Sequence, residues 1–110
     1  MARLDAPAHL SSLAGQTIWT ATRRQPNRIL RVTSEAVFVA TDKSPQGQPI
    51  PMEDVQAAFD RLASGEEVRI SVVSVGYRSA FVGAAMLSLP GAELLPAPTR
   101  VRLTPGWPPT

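Results

Sequence analysis

Residues 17–41 read TIWTATRRQPNRILRVTSEAVFVAT, with apolar and polar side chains in alternation and many β-branched residues. This pattern is typical of β-strands that bury one face. It predicts three strands, at residues 17–22, 28–33 and 36–41. The connections between them are short and rich in turn-forming residues. Neighbouring strands are therefore expected to pair antiparallel, as a β-meander.

The chain after the meander predicts alternating helices and strands. Residues 51–64 have apolar side chains at helical spacing, begin with a proline and end before Gly65, which suits a helix terminus. Residues 42–49, which precede this helix, are expected to form a loop. The remaining elements are a strand at 68–73, a small-residue helix at 77–89 that is expected to be sandwiched, and a hairpin of strands at 92–95 and 100–103.

These elements predict a single α+β domain over residues 1–104. A short helix with Pro7 in its first turn is expected to precede the meander and to stop at Gly15. The domain would combine an antiparallel β-meander with a winged-helix-like half of α-β-α-β-hairpin order. Residues 105–110, PGWPPT, are expected to be a disordered tail or a linker stub.

Composition bounds the class of protein. The chain has 110 residues, with 11 Lys and Arg against 9 Asp and Glu, a formal net charge of +2 and no cysteine. This length fits one domain, and the lack of cysteine excludes a disulfide framework and a thiolate metal site. No signal peptide or membrane-spanning run is visible. A soluble, cytoplasmic protein without a membrane partner is therefore expected.

The small net charge is unevenly distributed. Residues 16–50 hold four arginines and one lysine against two carboxylates, a balance of +3, and residues 51–75 have a balance of −3. Residues 76–110 return to +2. Basic segments on both sides of an acidic middle are compatible with binding to an anionic partner.

Residues that could carry catalysis are few. His9 is the single histidine, lies near the N-terminus and is expected to be solvated on the surface. Glu66 and Glu67 are adjacent and point apart on a strand, so they form a poor acid–base pair. No phosphate-binding loop, dinucleotide fingerprint, nucleophile elbow or EF-hand motif occurs. The prediction is a protein that is not an enzyme, with no metal and no cofactor.

Nucleic-acid contacts are predicted at three places: the first hairpin connection, the start of the small-residue helix and the last strand. Converging guanidinium groups grip phosphate, free N–H groups at a helix start favour an anion, and alternate cations share one strand face. A solvated loop, an ordinary N-cap and edge-strand charges are the competing interpretations. The candidate residues are Arg23, Arg24, Arg28, Tyr77, Arg78, Ser79, Arg100 and Arg102.

Three segments carry a resemblance to a known group of proteins. They are IPMEDVQAAFDRL at Ile50–Leu62, GEEV at residues 65–68 and YRSAFVGAAMLSLPG at residues 77–91. Together they resemble small modules that precede nuclease domains, often of the HNH type, in actinobacterial restriction-like proteins. The resemblance spans residues 16–103 and implies DNA targeting or attachment to a nuclease domain. No histidine-rich metal-binding ββα segment occurs, so it implies no cleavage by this chain.

Two functions follow as expectations. The first is a non-catalytic DNA-binding module that contacts mainly the phosphate backbone of double-stranded DNA, with its arginines gathered on one surface. The alternative is a protein-interaction or oligomerisation module that docks a partner chain through the helix at 77–89, with Gly83, Ala84 and Leu87 at the interface. An enzyme fragment completed by another chain also stays open.

Overall fold

Two antiparallel sheets and three helices make up the part of the chain that the computed structural model describes, which is residues 4–20, 24–70, 79–96 and 99–103. The elements are, in chain order, α1 (Ala6–Ser12), β1 (Thr17–Trp19), β2 (Pro26–Val32), β3 (Ala36–Ala40), β4 (Gln48–Pro51), α2 (Met52–Ala63), β5 (Val68–Arg69), α3 (Ser79–Leu87), β6 (Ala92–Leu95) and β7 (Arg100–Leu103). The predicted α+β class is confirmed. The predicted tail at 105–110 lies outside the described residues.

Helix α1 begins and ends as its sequence predicts. The side chain of Asp5 accepts a hydrogen bond from the N–H of Ala8 at the N-cap, and Gly15 follows the helix with a φ of +83°. Gln56 of α2 fastens this end of the chain, because its amide accepts from Ala6 N at 2.8 Å and donates to Leu4 O at 2.7 Å.

The first sheet is the predicted meander with one more strand, in the order β1-β2-β3-β4. The prediction of a loop and a helix start at residues 48–51 was wrong, because these residues form β4 and place Ile50 opposite Val37. Prolines argue against a central strand, but an edge strand accepts them where the missing N–H would point away from the sheet. Strand β4 is such an edge, and its prolines are Pro49 and Pro51.

A β-bulge changes which side chains of β2 share a face. The register pairs Ile29 with Val39 and Arg31 with Phe38, so Leu30 is an extra residue on β2. Strict alternation would place Arg28 and Arg31 on opposite faces. With the bulge, both arginines are exposed on the side away from the core, while Ile29 is fully buried.

Helix α2 forms close to its predicted bounds. Its core stripe is fully buried, and Gly65 ends it with a φ of +93°. The stripe consists of Val55, Ala58, Phe59 and Leu62.

The winged-helix-like half follows in the predicted order of α2, β5, α3 and a β6–β7 hairpin, which we call the wing. Its sheet has the order β5-β7-β6, and Val101 of the central strand lies opposite Val68. Of the predicted strand at 68–73, Val68–Arg69 form β5, Ile70 lies beyond the end of the strand, and residues 71–73 lie outside the description. Helix α3 ends at Leu87, two residues before its predicted end.

One continuous core joins these elements. Buried apolar side chains from α1, both sheets, α2 and α3 belong to a single cluster. Helix α3 is buried along most of its length, including Phe81, Val82 and Met86, so the prediction that this helix is sandwiched is confirmed. None of the helices in the described ranges is long and apolar enough to cross a bilayer.

Candidate nucleic-acid interface

The side of the meander that faces away from the core forms a solvent-exposed surface, which we call the outer face. Cross-strand pairing places Thr17 opposite Arg28 and Phe38 opposite Arg31. The Arg31 guanidinium lies over the Phe38 ring, 4.2 Å from its centroid. The outer face consists of Thr17, Trp19, Arg28, Leu30, Arg31, Phe38 and Pro49.

The arginines of the outer face keep their charge available. Arg28 and Arg31 are exposed, and among the described residues no carboxylate forms an ion pair with either. Stacking on Phe38 orders the Arg31 guanidinium and leaves its N–H edge open. This surface therefore presents two cations and an aromatic ring to solvent.

Arg24 lies beside this surface, in the connection between β1 and β2. It is exposed and has a φ of +53°, in the left-handed region that residues other than glycine rarely adopt. Such conformations cost free energy and cluster at functional sites. Arg23, the neighbour predicted to act with it, lies outside the described residues.

The predicted anion site at the start of α3 has its side chains outside the described part of the chain. Tyr77 and Arg78 lie outside the described residues. Ser79 is the first residue of α3, and its side chain lies outside the description as well. This part of the predicted site stays a prediction.

The wing arginines are neutralised by neighbouring glutamates. Arg100 Nε donates to Glu67 Oε1 at 2.8 Å, and Arg102 Nε and Nη2 donate to Glu93 Oε2 at 3.1 and 3.0 Å. The hydrogen bond from Arg100 lowers the pKa of the Glu67 carboxyl. Val101 between them is buried, as the alternation predicts. The expectation that the arginines gather on one surface was therefore wrong for the described candidates, because they are divided between the two sheets and the charge of those on the wing is paired.

Arg31, Trp19 and Phe38 belong to the outer face although the sequence did not single them out. For Arg31 the reason is the bulge in β2, since two arginines three positions apart on a regular strand would lie on opposite faces. A signal was present in the sequence. Burying an unpaired guanidinium is so costly that Arg28 and Arg31 within one strand already indicate an irregularity between them.

Small residues of α3 were expected to dock a partner, but in the structure Gly83 and Ala84 pack against other parts of the same chain. Ala84 is buried, and a Cβ added to Gly83 would lie 2.8 Å from Ile70 Cδ1. The small residues therefore serve close packing within the chain. Leu87 is half-buried and lines a groove of about 280 Å³ between β1 and β6, together with Trp19 and Leu94.

The prediction that His9 is solvated was wrong. Its ring packs edge-on against Phe59 at 5.8 Å, and Nε2 lies 2.8 Å from Ser88 Oγ. The Ser88 hydroxyl donates to Ala85 O, so Nε2 carries a proton and is the donor to Ser88. Partial burial lowers the pKa of His9. While this hydrogen bond holds, Nε2 cannot accept a proton from Ser88 as a general base would.

Within the described ranges, histidine and carboxylate side chains form no group of three that could hold a metal ion. Comparison of the chain with protein-family models, with curated proteins and with solved structures gave no match.

Proposed function

We propose that the chain is a non-catalytic DNA-binding module that contacts the phosphate backbone of double-stranded DNA through the outer face of the meander. One observation carries the proposal. Arg28 and Arg31 share an exposed face and have no ion pair with a carboxylate of the described residues, whereas Arg100 and Arg102 are bound to glutamates.

The spacing of the two arginines suits a repeating anionic lattice. Their Cα atoms are about 10 Å apart or less, since a strand rises about 3.3 Å per residue and the bulge shortens it. Duplex DNA carries one negative charge per about 1.7 Å of its axis, so phosphates lie within reach of both long side chains. Guanidinium groups bind phosphate oxygens in a bidentate way.

The charge distribution supports the same orientation. The described cations between the start of the meander and its last strand outnumber the carboxylates there: Arg24, Arg28, Arg31 and Lys43 stand against Glu35 and Asp42. Helix α2 begins with Glu53 and Asp54. An uneven field of this kind orients an anionic partner toward the meander before contact is made.

The burial of α3 favours contact with the backbone over base reading by this helix. In a winged-helix arrangement the helix before the wing would enter the major groove. Here Phe81, Val82 and Met86 of that helix are buried in the core, so they cannot contact bases. Phosphate contacts give affinity without sequence information.

Fluorescence anisotropy with a labelled duplex tests the proposal. Arg28→Ala and Arg31→Ala should each weaken binding by about ten-fold and reduce the salt dependence by about one phosphate contact. Arg102→Ala is the matched control, because it removes the same charge from a position already paired with Glu93, and it should change affinity little. Absence of binding at low salt, or equal losses in all three variants, would exclude the outer face as the DNA-binding surface.

Attachment to a nuclease domain belongs to the same proposal. It is supported by the resemblance of residues 16–103 to modules that precede nuclease domains. In such an arrangement the backbone contacts would hold the partner domain close to DNA, and the chain itself would perform no chemistry.

A second candidate function is self-association through the groove between β1 and β6. Trp19 is 49% exposed and Leu94 43% exposed, and both line this groove beside Leu87. Large apolar side chains exposed together are typical of interfaces. Light scattering at high protein concentration should then report a dimer that Leu94→Arg dissociates. A monomer at that concentration would exclude this function.

A further inference from the structure

A second cavity lies at the end of the meander, against the start of α3. Its volume is about 410 Å³, within the range of small-molecule sites. Segments that are distant in sequence contribute polar side chains to its lining, namely Thr20, Gln25, Asn27, Thr41, Ser44 and Gln48. We call this cavity the amide cleft.

The amide cleft contains the buried polar residues of the described chain. Asn27 is 6% exposed and Thr20 is 7% exposed, and no other polar or charged residue in the described ranges is buried to this degree. Burying a polar group is unfavourable unless it is hydrogen-bonded, so a pair of such groups at one cleft calls for a physical explanation.

The side-chain amide of Asn27 has a donor and an acceptor that no described residue uses. Its Nδ2 donates to Gln25 O at 3.3 Å, which leaves one N–H unused, and Oδ1 accepts from none of the described residues. No fully enclosed side-chain N or O atom in those residues lacks a partner, so Oδ1 is open to the cleft. Thr20 Oγ1 accepts from Gln25 N at 2.9 Å and retains its own proton.

The rest of the lining suits a flat ligand. Val39, Ile50 and Phe81 supply apolar surface beside the amide groups. A nucleobase has apolar faces and donors and acceptors in the plane of its ring, and proteins bind unstacked bases by this combination. A free N–H and a free carbonyl oxygen on one amide match adenine in particular, which asparagine and glutamine bind in a bidentate way.

The rim of the cleft can receive a phosphate. Lys43, the single lysine of the chain, lies in the lining together with Ala80 in the first turn of α3. The first turn of a helix has unpaired N–H groups that favour an anion. Asp42 is also in the lining, which favours a singly phosphorylated ligand over a more highly charged one.

We propose that the amide cleft binds a nucleobase, with adenine preferred and Asn27 as the residue that pairs with its edge. The base can come from a free nucleotide or from an unpaired position in a nucleic-acid strand. The proposal is independent of the outer face, because Arg28 and Arg31 do not line the cleft.

Titration of the ¹⁵N-labelled chain with the four nucleoside 5′-monophosphates tests this. Adenosine monophosphate should shift the Asn27 side-chain amide and the N–H signals of Thr20 and Gln48, and inorganic phosphate should leave the Asn27 side chain unchanged. If none of the four nucleotides shifts these signals, or if phosphate alone reproduces the pattern, the proposal is wrong.

Two variants of the cleft are needed because Asn27 is buried. Asn27→Ala should weaken adenosine monophosphate by about ten-fold or more, whereas Gln16→Ala, which removes an exposed amide elsewhere, should have no effect. Ala80→Leu fills the cleft from an exposed helix position and should abolish binding even if Asn27→Ala fails to fold. Unchanged binding in Ala80→Leu would overturn the proposal.

The source of the base and the independence from the outer face are tested together. A duplex with one unpaired adenine that binds more tightly than the perfect duplex, through Asn27, identifies a base within a strand. Equal binding to both duplexes, with adenosine monophosphate still bound, identifies a free nucleotide.

Arg28→Ala should leave adenosine monophosphate binding unchanged, so a failure of the DNA proposal and a failure of this one give different results.

Discussion

At the residue scale, His9 carries a proton on Nε2 because the Ser88 hydroxyl uses its own proton in the hydrogen bond to Ala85 O. The ring is half-buried and packs edge-on against Phe59, so it is partly removed from water. Charging the imidazole is therefore less favourable in the folded chain than in the unfolded one, which is why its pKa is lowered.

The stability of the fold should fall when the pH drops below the usual histidine pKa of about 6.5. In that range the unfolded chain takes up a proton before the folded chain does, so unfolding becomes more favourable as the pH decreases. Urea denaturation at about pH 7.5 and about pH 5.5 measures the difference.

The variant His9→Gln supplies the control, since it retains a side-chain donor and cannot titrate. Its unfolding free energy should change less between the two pH values than that of the natural chain. The ion pair of Glu67 does not interfere, because a lowered carboxyl pKa reduces stability only when the pH falls below the usual value of 4.5. Equal pH dependence in both proteins would contradict the role assigned to His9.

Only part of the outer face could be predicted from the order of residues along the chain. Arg28 was found because it belongs to a hairpin rich in arginine, whereas Arg31 was missed because its orientation depends on the bulge at Leu30. A bulge is set by the pairing of two strands, so the sequence of one strand does not state it. The ion pair of Arg100 was missed because Glu67 approaches it only after the second sheet has formed, whereas the predicted hairpin already places Glu93 opposite Arg102.

At the element scale, α3 depends on a close contact between Gly83 and Ile70. Gly83→Ala gains helix propensity of about 1 kcal/mol. It also places a methyl group 2.8, 3.0 and 3.2 Å from three carbon atoms of Ile70, and crowding of this kind costs about 1–3 kcal/mol. We expect crowding to prevail, so thermal unfolding should occur at a lower temperature.

A double-mutant cycle separates these two effects. Ile70→Ala removes all three crowding atoms, so Gly83→Ala should stabilise the chain in that background, where propensity alone remains. If Gly83→Ala has the same effect in both backgrounds, the contact does not determine stability.

Element bounds were predictable where local chemistry fixes them. Gly15 and Gly65 mark helix ends because both adopt positive φ, and the wing strands have the bounds that their alternation indicates. Strand β4 was not predictable from propensity, because prolines normally exclude a strand. Its place at the edge of the sheet, which is a tertiary property, removes that penalty.

At the scale of the whole molecule, α2 packs against strands of both sheets, so we expect the two halves to unfold as one cooperative unit. Phe59 is fully buried in the core that they share. Phe59→Ala should lower the unfolding free energy by about 3–5 kcal/mol, a large share of the total for a domain of this size.

Hydrogen exchange measures whether both halves respond. Amide protons of β3 in the first sheet and β7 in the second should lose protection to the same extent in Phe59→Ala, because global unfolding exposes them together. Leu30→Ala is the control, since Leu30 is largely outside the core and its loss should affect protection little. Loss of protection in one sheet alone would show that the halves unfold separately.

The prolines of β4 also affect whether the edge of the first sheet can pair with a strand of another molecule. The N–H of Met52 donates to Glu35 O at 2.8 Å, so even-numbered residues of this segment direct their amides inward, and the outward positions belong to Pro49 and Pro51. The prolines leave that border without an amide proton to offer another chain, which disfavours extension of a fibril from it. Cross-β growth of the meander is therefore expected to start at β1, and a proline introduced into β1 should slow fibril formation from this sheet, as measured by thioflavin T fluorescence.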